Sequence, residues 1–332
     1  MTDQAIITGG AGFIGSHLAE RLLDEGKRVL LIDNLATGRR TNVEHLLGDR
    51  CELRVQDAAE AFADPHLLDG VSQVFHLAAA VGVKLIVDDP AAMIATNIDD
   101  TIVVLRRCAA ADVPVLVTSS SEVYGKCPVL PLREDMDLVF GPTSASRWSY
   151  GLTKALDEHL ALDFARRSGL RTVVVRLFNT IGPRQVGRYG MVVPRFVSRA
   201  CGGQTLDIYG DGQQTRAFCD VRDVVRALSG LLGTAEAHGR VFNVGSEKQV
   251  TVDNLADMVI GRVQHHGGPA AGKRQVPYEA VYGEGFEDPP HRLPDTSRLQ
   301  ETLGWAPQVT LEQTLDELIE LQMKALAADE CG

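Results

Sequence analysis

Tyr150 and Lys154 stand four residues apart in Trp148-Ser149-Tyr150-Gly151-Leu152-Thr153-Lys154. On a helix this spacing sets phenol and ammonium side by side on one face. A phenol ordinarily titrates at about 10, and a neighbouring ammonium favours phenolate over phenol. The pair is therefore expected to bring Tyr150 toward working pH as a proton acceptor and donor for a carbon bearing a hydroxyl. A lone YxxxK means little. It gains weight here because it follows Ser119-Ser120-Ser121-Glu122-Val123-Tyr124-Gly125 and Thr8-Gly9-Gly10-Ala11-Gly12-Phe13-Ile14-Gly15, which has the spacing of a dinucleotide-binding turn.

That turn has the context it needs. Ala5-Ile6-Ile7 reads as a strand before it and Ser16 to Glu25 as a helix after it. Gly9 would make the tight turn, Gly12 would let backbone approach a pyrophosphate, and Gly15 would permit close helix packing. The anion would rest on the helix N-terminus, where free amides and the helix dipole favour negative charge. Val29-Leu30-Leu31-Ile32 then ends in Asp33, a carboxylate suited to the ribose hydroxyls of NAD and hostile to the extra phosphate of NADP. Arg39 and Arg40 lie close enough in sequence to oppose that preference. Asp57, after Leu53-Arg54-Val55, is placed either to accept from the adenine amine or to cap a helix.

The elements that must position these residues alternate. Apolar runs at Ala5 to Thr8, Arg28 to Ile32, Cys51 to Val55, Gln73 to Leu77, Val115 to Thr118 and Thr172 to Arg176 are separated by helical stretches. Such alternation predicts an α/β fold, a doubly wound parallel sheet with helices on both faces. Beyond Asn179 the glycines multiply, at 182, 187, 190, 202, 203, 210, 212, 267 and 268, which predicts a smaller, loop-rich lobe. The expected division is 1–179 for the cofactor domain, with 213–247 returning to it through a strand at Arg240 to Val244. Segments 180–212 and 248–328 form the second lobe, closed by an amphipathic helix from Leu311 to Leu326.

Composition narrows the function classes. At 332 residues and 45% hydrophobic, the chain can bury a substantial core. A net charge of −11 matches a nucleic-acid backbone poorly. No stretch reaches the roughly 18 apolar residues of a membrane span, and the N-terminus lacks a basic segment leading into an apolar one. The six cysteines, at 51, 108, 127, 201, 219 and 331, form no CxxC pair, and a soluble cytoplasmic protein with reduced thiols is expected. The nine histidines form no constellation with metal-ligand spacing, so no metal is expected.

With these residues assembled, the chain resembles the extended short-chain dehydrogenase/reductase family, in its nucleotide-sugar branch. The resemblance spans nearly the whole length, since the Gly-rich turn, the serine-bearing strand end, Tyr150/Lys154, Arg176-Leu177-Phe178-Asn179 and Arg292-Leu293-Pro294-Asp295 occur in family order. Ser121-Glu122-Val123-Tyr124-Gly125, Gly141-Pro142 before Arg147-Trp148-Ser149-Tyr150, and Tyr282-Gly283-Glu284-Gly285-Phe286-Glu287-Asp288 look most like UDP-glucuronate decarboxylases and UDP-apiose/xylose synthases. Where family 4,6-dehydratases carry an Asp-Glu pair, this chain has Ser121, which disfavours dehydration. The apiose-forming synthases have a cysteine at that place, so ring contraction is also disfavoured.

The resemblance implies a Rossmann-type NAD domain and a UDP-sugar substrate. It extends the cofactor set to Phe13, Ile14, Asn34, Leu77, Ala78 and Ala79, with Tyr150 and Lys154. Ser120 would share the sugar oxygen with Tyr150. Glu122 and Arg292 would steer a substrate carboxylate and handle the proton delivered to C5, the alternatives being a loop cap for Glu122 and pyrophosphate binding for Arg292. Lys84, Ser121, Asn179, Arg188, Arg216 and Arg292 fall on substrate-holding segments, where arginine suits phosphate because of its forked donors. The implied activity is NAD-dependent decarboxylation of UDP-glucuronate, with 4-epimerisation of UDP-glucose or UDP-glucuronate as the alternative. Glu122, two residues beyond Ser120, is expected on the same side of the strand end. A homodimer through Pro90 to Ala111 and Tyr150 to Arg167 is expected from their helical apolar spacing.

Overall fold

The computed structural model of the chain describes residues 3–80, 90–187, 191–282 and 289–330. Strands β1 (Gln4–Thr8), β2 (Arg28–Asp33), β3 (Cys51–Val55), β4 (Val71–His76), β5 (Val115–Ser120) and β6 (Thr172–Leu177) are interleaved with α1 (Phe13–Asp24), α2 (Ala58–Ala63), α3 (Pro90–Ala111) and α4 (Ser149–Ser168). There follow β7 (Thr180–Ile181), α5 (Val192–Cys201), β8 (Leu206–Tyr209), β9 (Thr215–Ala217), β10 (Cys219–Asp220), α6 (Val221–Leu232) and β11 (Arg240–Val244). The chain closes with β12 (Gln249–Thr251), α7 (Val252–His265), β13 (Lys273–Val276), β14 (His291–Arg292), α8 (Ser297–Leu303) and α9 (Leu311–Glu330).

Seven strands pair in the order β3-β2-β1-β4-β5-β6-β11, all parallel. Both faces are covered, so the strands carry near-continuous apolar runs such as Val173-Val174-Val175. Successive residues feed opposite cores. Ile7, Leu31 and Val175 pack with Leu18, Leu22, Val224 and Leu228 of α1 and α6. Ile6, Leu30 and Val174 pack with Val104, Leu105 and Ala161 of α3 and α4. A separate core of Phe196, Ile208, Val259, Leu315 and Ile319 joins α5, α7 and α9 in the smaller lobe.

Of the stretch 213–247, β9 lies in a three-stranded sheet with β12 and β14, while α6 and β11 lie on the large sheet. No helix among the described residues is long and apolar enough to cross a membrane. The strand order reverses between β1 and β4, and the crevice beyond the carboxyl ends of strands at such a reversal is where ligands bind in sheets of this kind. Gly9, Asp33, Leu77 and Ser120 all stand at those strand ends.

Candidate active site

The Gly-rich turn is built so tightly that side chains would break it. Gly9 has φ of +68°, and a Cβ there would sit 2.9 Å from the Ala78 nitrogen. A Cβ on Gly15 would collide with the Gly9 carbonyl oxygen. Gly12 is the N-cap of α1 and offers no side-chain cap, so Phe13, Ile14 and Gly15 open a helix whose first amides suit an anion. Asp33 is buried at the end of β2, accepting from Ala11 N at 2.9 Å and Leu35 N at 2.8 Å. Burial raises its pKa, partly offset by those amides. A bare-backbone cradle with an acid beside it fits a dinucleotide.

Asn34 and Asp57 meet across the strand ends, Asn34 Nδ2 donating to Asp57 Oδ1 at 2.7 Å. Asp57 occupies the N-cap position of α2, but its side chain makes no capping bond. Leu77 and Ala78 donate their amides to Thr8 O and Thr8 Oγ1, both at 3.2 Å, which holds Leu77, Ala78 and Ala79 beside the turn. Two residues of this region escaped sequence reasoning. Asn97 of α3 accepts from Ala80 N at 2.6 Å. His76, fully buried, hydrogen-bonds Thr8 Oγ1 at 2.8 Å. The signal for His76 was a polar residue ending the apolar run Val74-Phe75.

At the end of β5 the serines divide. Ser119 is buried and donates to Glu158, which also takes a bidentate pair from Arg176 at 2.9 and 2.7 Å. Ser120 is hydrogen-bonded to Tyr150 and accepts from Glu122 N at 3.3 Å. Ser121 is buried at the start of a 3₁₀ turn, Ser121–Tyr124. That turn overrides the expected alternation, so Glu122 does not reach its place as a strand residue two beyond Ser120. Gly151 lets α4 approach this turn, because a Cβ there would strike the Glu122 carbonyl.

The expected pairing of Lys154 with Tyr150 takes a different form. Lys154 Nζ donates to Asp157 Oδ2 at 2.8 Å, with both side chains buried. The phenol is pushed up rather than down, by burial first and then by the carboxylates of Glu122 and Asp157, with Ser120 acting in the opposite sense. An i+3 carboxylate therefore takes the ammonium that the i−4 phenol was expected to feel.

Glu122 is the centre of a second cluster. Arg147 grips it with two bonds, Nη1 to Oε2 at 2.6 Å and Nη2 to Oε1 at 3.1 Å, while Arg292 Nη1 also donates to Oε1. Burial works against the charge, but the Arg292 and Arg147 guanidiniums hold the carboxyl down at about 2. Arg292 and Arg216 are in register on the parallel strands β14 and β9. Arg216 donates to Thr215 O at 2.8 Å and Pro290 O at 3.2 Å. Arg147 lies in the motif that precedes Tyr150, and its place three residues ahead of that phenol is the local signal for it. Asn179 donates to Ala217 O at 3.3 Å where the lobes join. Lys84, Arg188 and the segment 283–288 lie outside the described residues.

Residues 5–245 match the model of the NAD dependent epimerase/dehydratase family. The chain belongs to that family. It is 39% identical over 321 residues to a UDP-N-acetyl-alpha-D-glucosaminuronate decarboxylase of Bacillus cytotoxicus, covering 96% of this chain and 98% of that one. It is 35% identical over 315 residues to UDP-glucuronic acid decarboxylase 1 of Arabidopsis thaliana, covering 95% of this chain and 68% of the relative. Among solved structures, the UDP-glucuronic acid 4-epimerase of Bacillus cereus, in complex with UDP-glucuronic acid and NAD, superposes with a TM-score of 0.84 at 29% identity, covering 97% of this chain and 99% of that one. These matches agree with the nucleotide-sugar resemblance and with NAD as the cofactor of this fold.

Proposed function

We propose that this family member is an NAD-dependent decarboxylase of a UDP-hexuronic acid. The observation that carries the reading is the convergence of Arg147 and Arg292 on Glu122, close enough for the Glu122 charge to act on Tyr150. Two guanidiniums held at one point of the crevice are forked donors of the kind that suits a sugar carboxylate. The names of the relatives support the same substrate class.

Gly9, Gly12, Phe13, Ile14, Gly15, Asp33 and Asn34 would hold the cofactor, with Asp57, Leu77, Ala78, Ala79, Tyr150 and Lys154 lining it. NAD, when bound, supplies the acceptor and later donor of hydride at the sugar C4. Tyr150 takes the proton of the 4-hydroxyl, and Ser120 hydrogen-bonds the same oxygen. With a ketone at C4, the 5-carboxylate belongs to a β-keto acid. Its C–C bond electrons move toward the C4 oxygen as carbon dioxide leaves, and the enolate is stabilised by the Tyr150 and Ser120 hydroxyls. A Glu122 carboxyl held at about 2 is ionised at neutral pH, so we assign it to positioning the two arginines rather than to donating the C5 proton. Ser121, Asn179 and Arg216, together with Lys84 and Arg188, are assigned to the nucleotide and sugar.

The fold-level likeness to an epimerase solved with UDP-glucuronic acid favours one second reading, 4-epimerisation. Incubation with NAD and either UDP-glucuronate or its 2-acetamido counterpart, read by product mass, separates the two. A product lighter by one carbon dioxide supports decarboxylation, and an isomer of unchanged mass overturns it. We further propose a cytoplasmic homodimer through α3 and α4, which pack on each other and expose Ile94 and Leu156. Light scattering that gives only the 35.9 kDa chain would refute the dimer.

A further inference from the structure

We propose that Asp100 of α3 is a positioning residue for cofactor recognition. It caps α2 from a neighbouring helix and so leaves the Asp57 carboxylate turned to the crevice, as acceptor for the adenine amine. The inference rests on the placing of NAD in the reading above, which the decarboxylase and the epimerase share.

Asp57 has the backbone of a helix cap without the bond of one. It holds the N-cap position of α2 with φ of −68° and ψ of 148°, and its carbonyl accepts from Ala61 N at 2.9 Å. An N-cap aspartate ordinarily turns its carboxylate back onto the second or third helical amide. Here the second amide, Ala59 N, donates instead to Asp100 Oδ1 at 3.1 Å. Asp57 Oδ1 accepts from Asn34 Nδ2 at 2.7 Å, just beyond β2, and the residue is exposed. Two carboxylates at one short helix end repel each other, so Asp100 at the amide also keeps Asp57 off it. Their closeness shows in the Asp100 carboxyl, which burial raises first, the Ala59 amide lowers, and Asp57 raises ahead of Asp99 and Asp157.

The same helix braces the cofactor rim at two further points. Asn97, Asp100 and Thr101 share one face of α3. Asn97 Oδ1 accepts from Ala80 N at 2.6 Å, and its amide donates back to Ala80 O at 3.3 Å. Thr101 Oγ1 and His76 Nε2 lie 3.3 Å apart, while His76 Nδ1 meets Thr8 Oγ1 at 2.8 Å. Bonds from this one face thus reach the ends of β1 and β4, the chain after β4 and the first turn of α2. For stability alone, Asp57 stands where it could cap α2 itself, and a second acid only adds repulsion. What the cap from α3 adds is a carboxylate left to other use and oriented by Asn34. A carboxylate only accepts hydrogen bonds, so of the groups on an adenine edge it suits the amine.

The test titrates the full chain by calorimetry with NAD and with nicotinamide hypoxanthine dinucleotide, which carries a carbonyl oxygen in place of the adenine amine. Wild type should bind NAD about tenfold more tightly, the scale of one hydrogen bond to a charged group. In Asp100→Ala the freed Ala59 amide takes the Asp57 carboxylate, and the preference should shrink to about twofold or less. Asp100→Asn, whose amide oxygen still accepts from Ala59 N, should retain it. In an Asp57→Ala background, where the preference is already lost, Asp100→Ala should change it no further. Should Asp100→Ala not melt cooperatively, Asp100→Leu, similar in shape but without an acceptor, carries the same expectation. A wild type that binds both dinucleotides equally, or an Asp100→Ala protein whose two affinities fall by one common factor, overturns the proposal. Neither titration involves a sugar, so its failure is distinct from failure of the decarboxylase reading, which product mass decides.

Discussion

At the end of β1 a bound anion would meet backbone alone, a glycine turn and the first amides of α1, while the nearby Asp33 carboxylate is held by the amides of Ala11 and Leu35. Across the crevice the arrangement is reversed, with Glu122 gripped by Arg147 and Arg292 and with Arg216 in register beside Arg292. Dipoles fixed in the backbone are already oriented before the ligand arrives and carry no net charge to desolvate. Guanidiniums supply full charge and a fork that matches a carboxylate, but each must be held in place by other groups. The first design is robust to changes in side-chain charge and intolerant of volume. The second is the opposite.

The largest expected effect tests intolerance of volume. Gly15→Val places a branched side chain where even a Cβ meets the Gly9 carbonyl, so the turn must open. NAD affinity should fall by about 10²-fold, roughly 2.7 kcal/mol, in a protein that still melts cooperatively. Calorimetric titration of NAD checks this, and an affinity within a few fold of wild type would mean that α1 can shift without disturbing the cradle.

This contrast also explains what the amino-acid sequence made readable. The turn is one continuous segment, and the strands around it carry continuous apolar runs, so the seven parallel strands could be placed to within two residues at each end. The Glu122 cluster joins positions 25 and 170 residues apart, and no local period records that. Lys154 was legible as the helical neighbour of Tyr150 but its bond to Asp157 was not, since i+3 and i−4 are equally good helical spacings. The strands that carry Arg216 and Arg292 are three and two residues long, too short for alternation to appear.

An intermediate effect tests the charge side. Arg147→Gln removes a bidentate grip and leaves Glu122 with Arg292. Its kcat/KM on a UDP-hexuronic acid should drop by about tenfold or more, the scale of one lost charge-assisted contact, while NAD affinity stays within about twofold. Glu122→Gln acts in the opposite direction on binding. It removes one negative charge from beside two guanidiniums, so KM for the carboxylated sugar should fall even as kcat declines because the arginines lose their anchor. Steady-state kinetics on both variants decide the matter, and a raised KM in Glu122→Gln would show that the carboxylate contacts the sugar itself.

The smallest effect concerns His76, which lies under the Gly-rich turn yet senses the Lys154 charge, and so connects the two sides. Burial first, and then the Lys154 charge, holds its imidazole at about 3, with Thr8 Oγ1 at 2.8 Å and Thr101 Oγ1 at 3.3 Å. An unfolded histidine titrates at about 6.5. Between those values the unfolded chain binds a proton that the folded one refuses, so stability is full above about 6.5 and is lost as pH falls toward 3. From pH 7.5 to 5 the histidine should cost the fold about 2 kcal/mol. His76→Gln lacks this titration, so although less stable at neutral pH it should lose less than wild type on acidification. Glu122 does not interfere in this window, because a carboxylate depressed to about 2 weakens the fold only as pH falls below its ordinary range. Urea midpoints of both proteins at pH 7.5 and 5 give the double difference, and equal losses would mean that the crevice admits enough water to let His76 titrate as it does in the open chain.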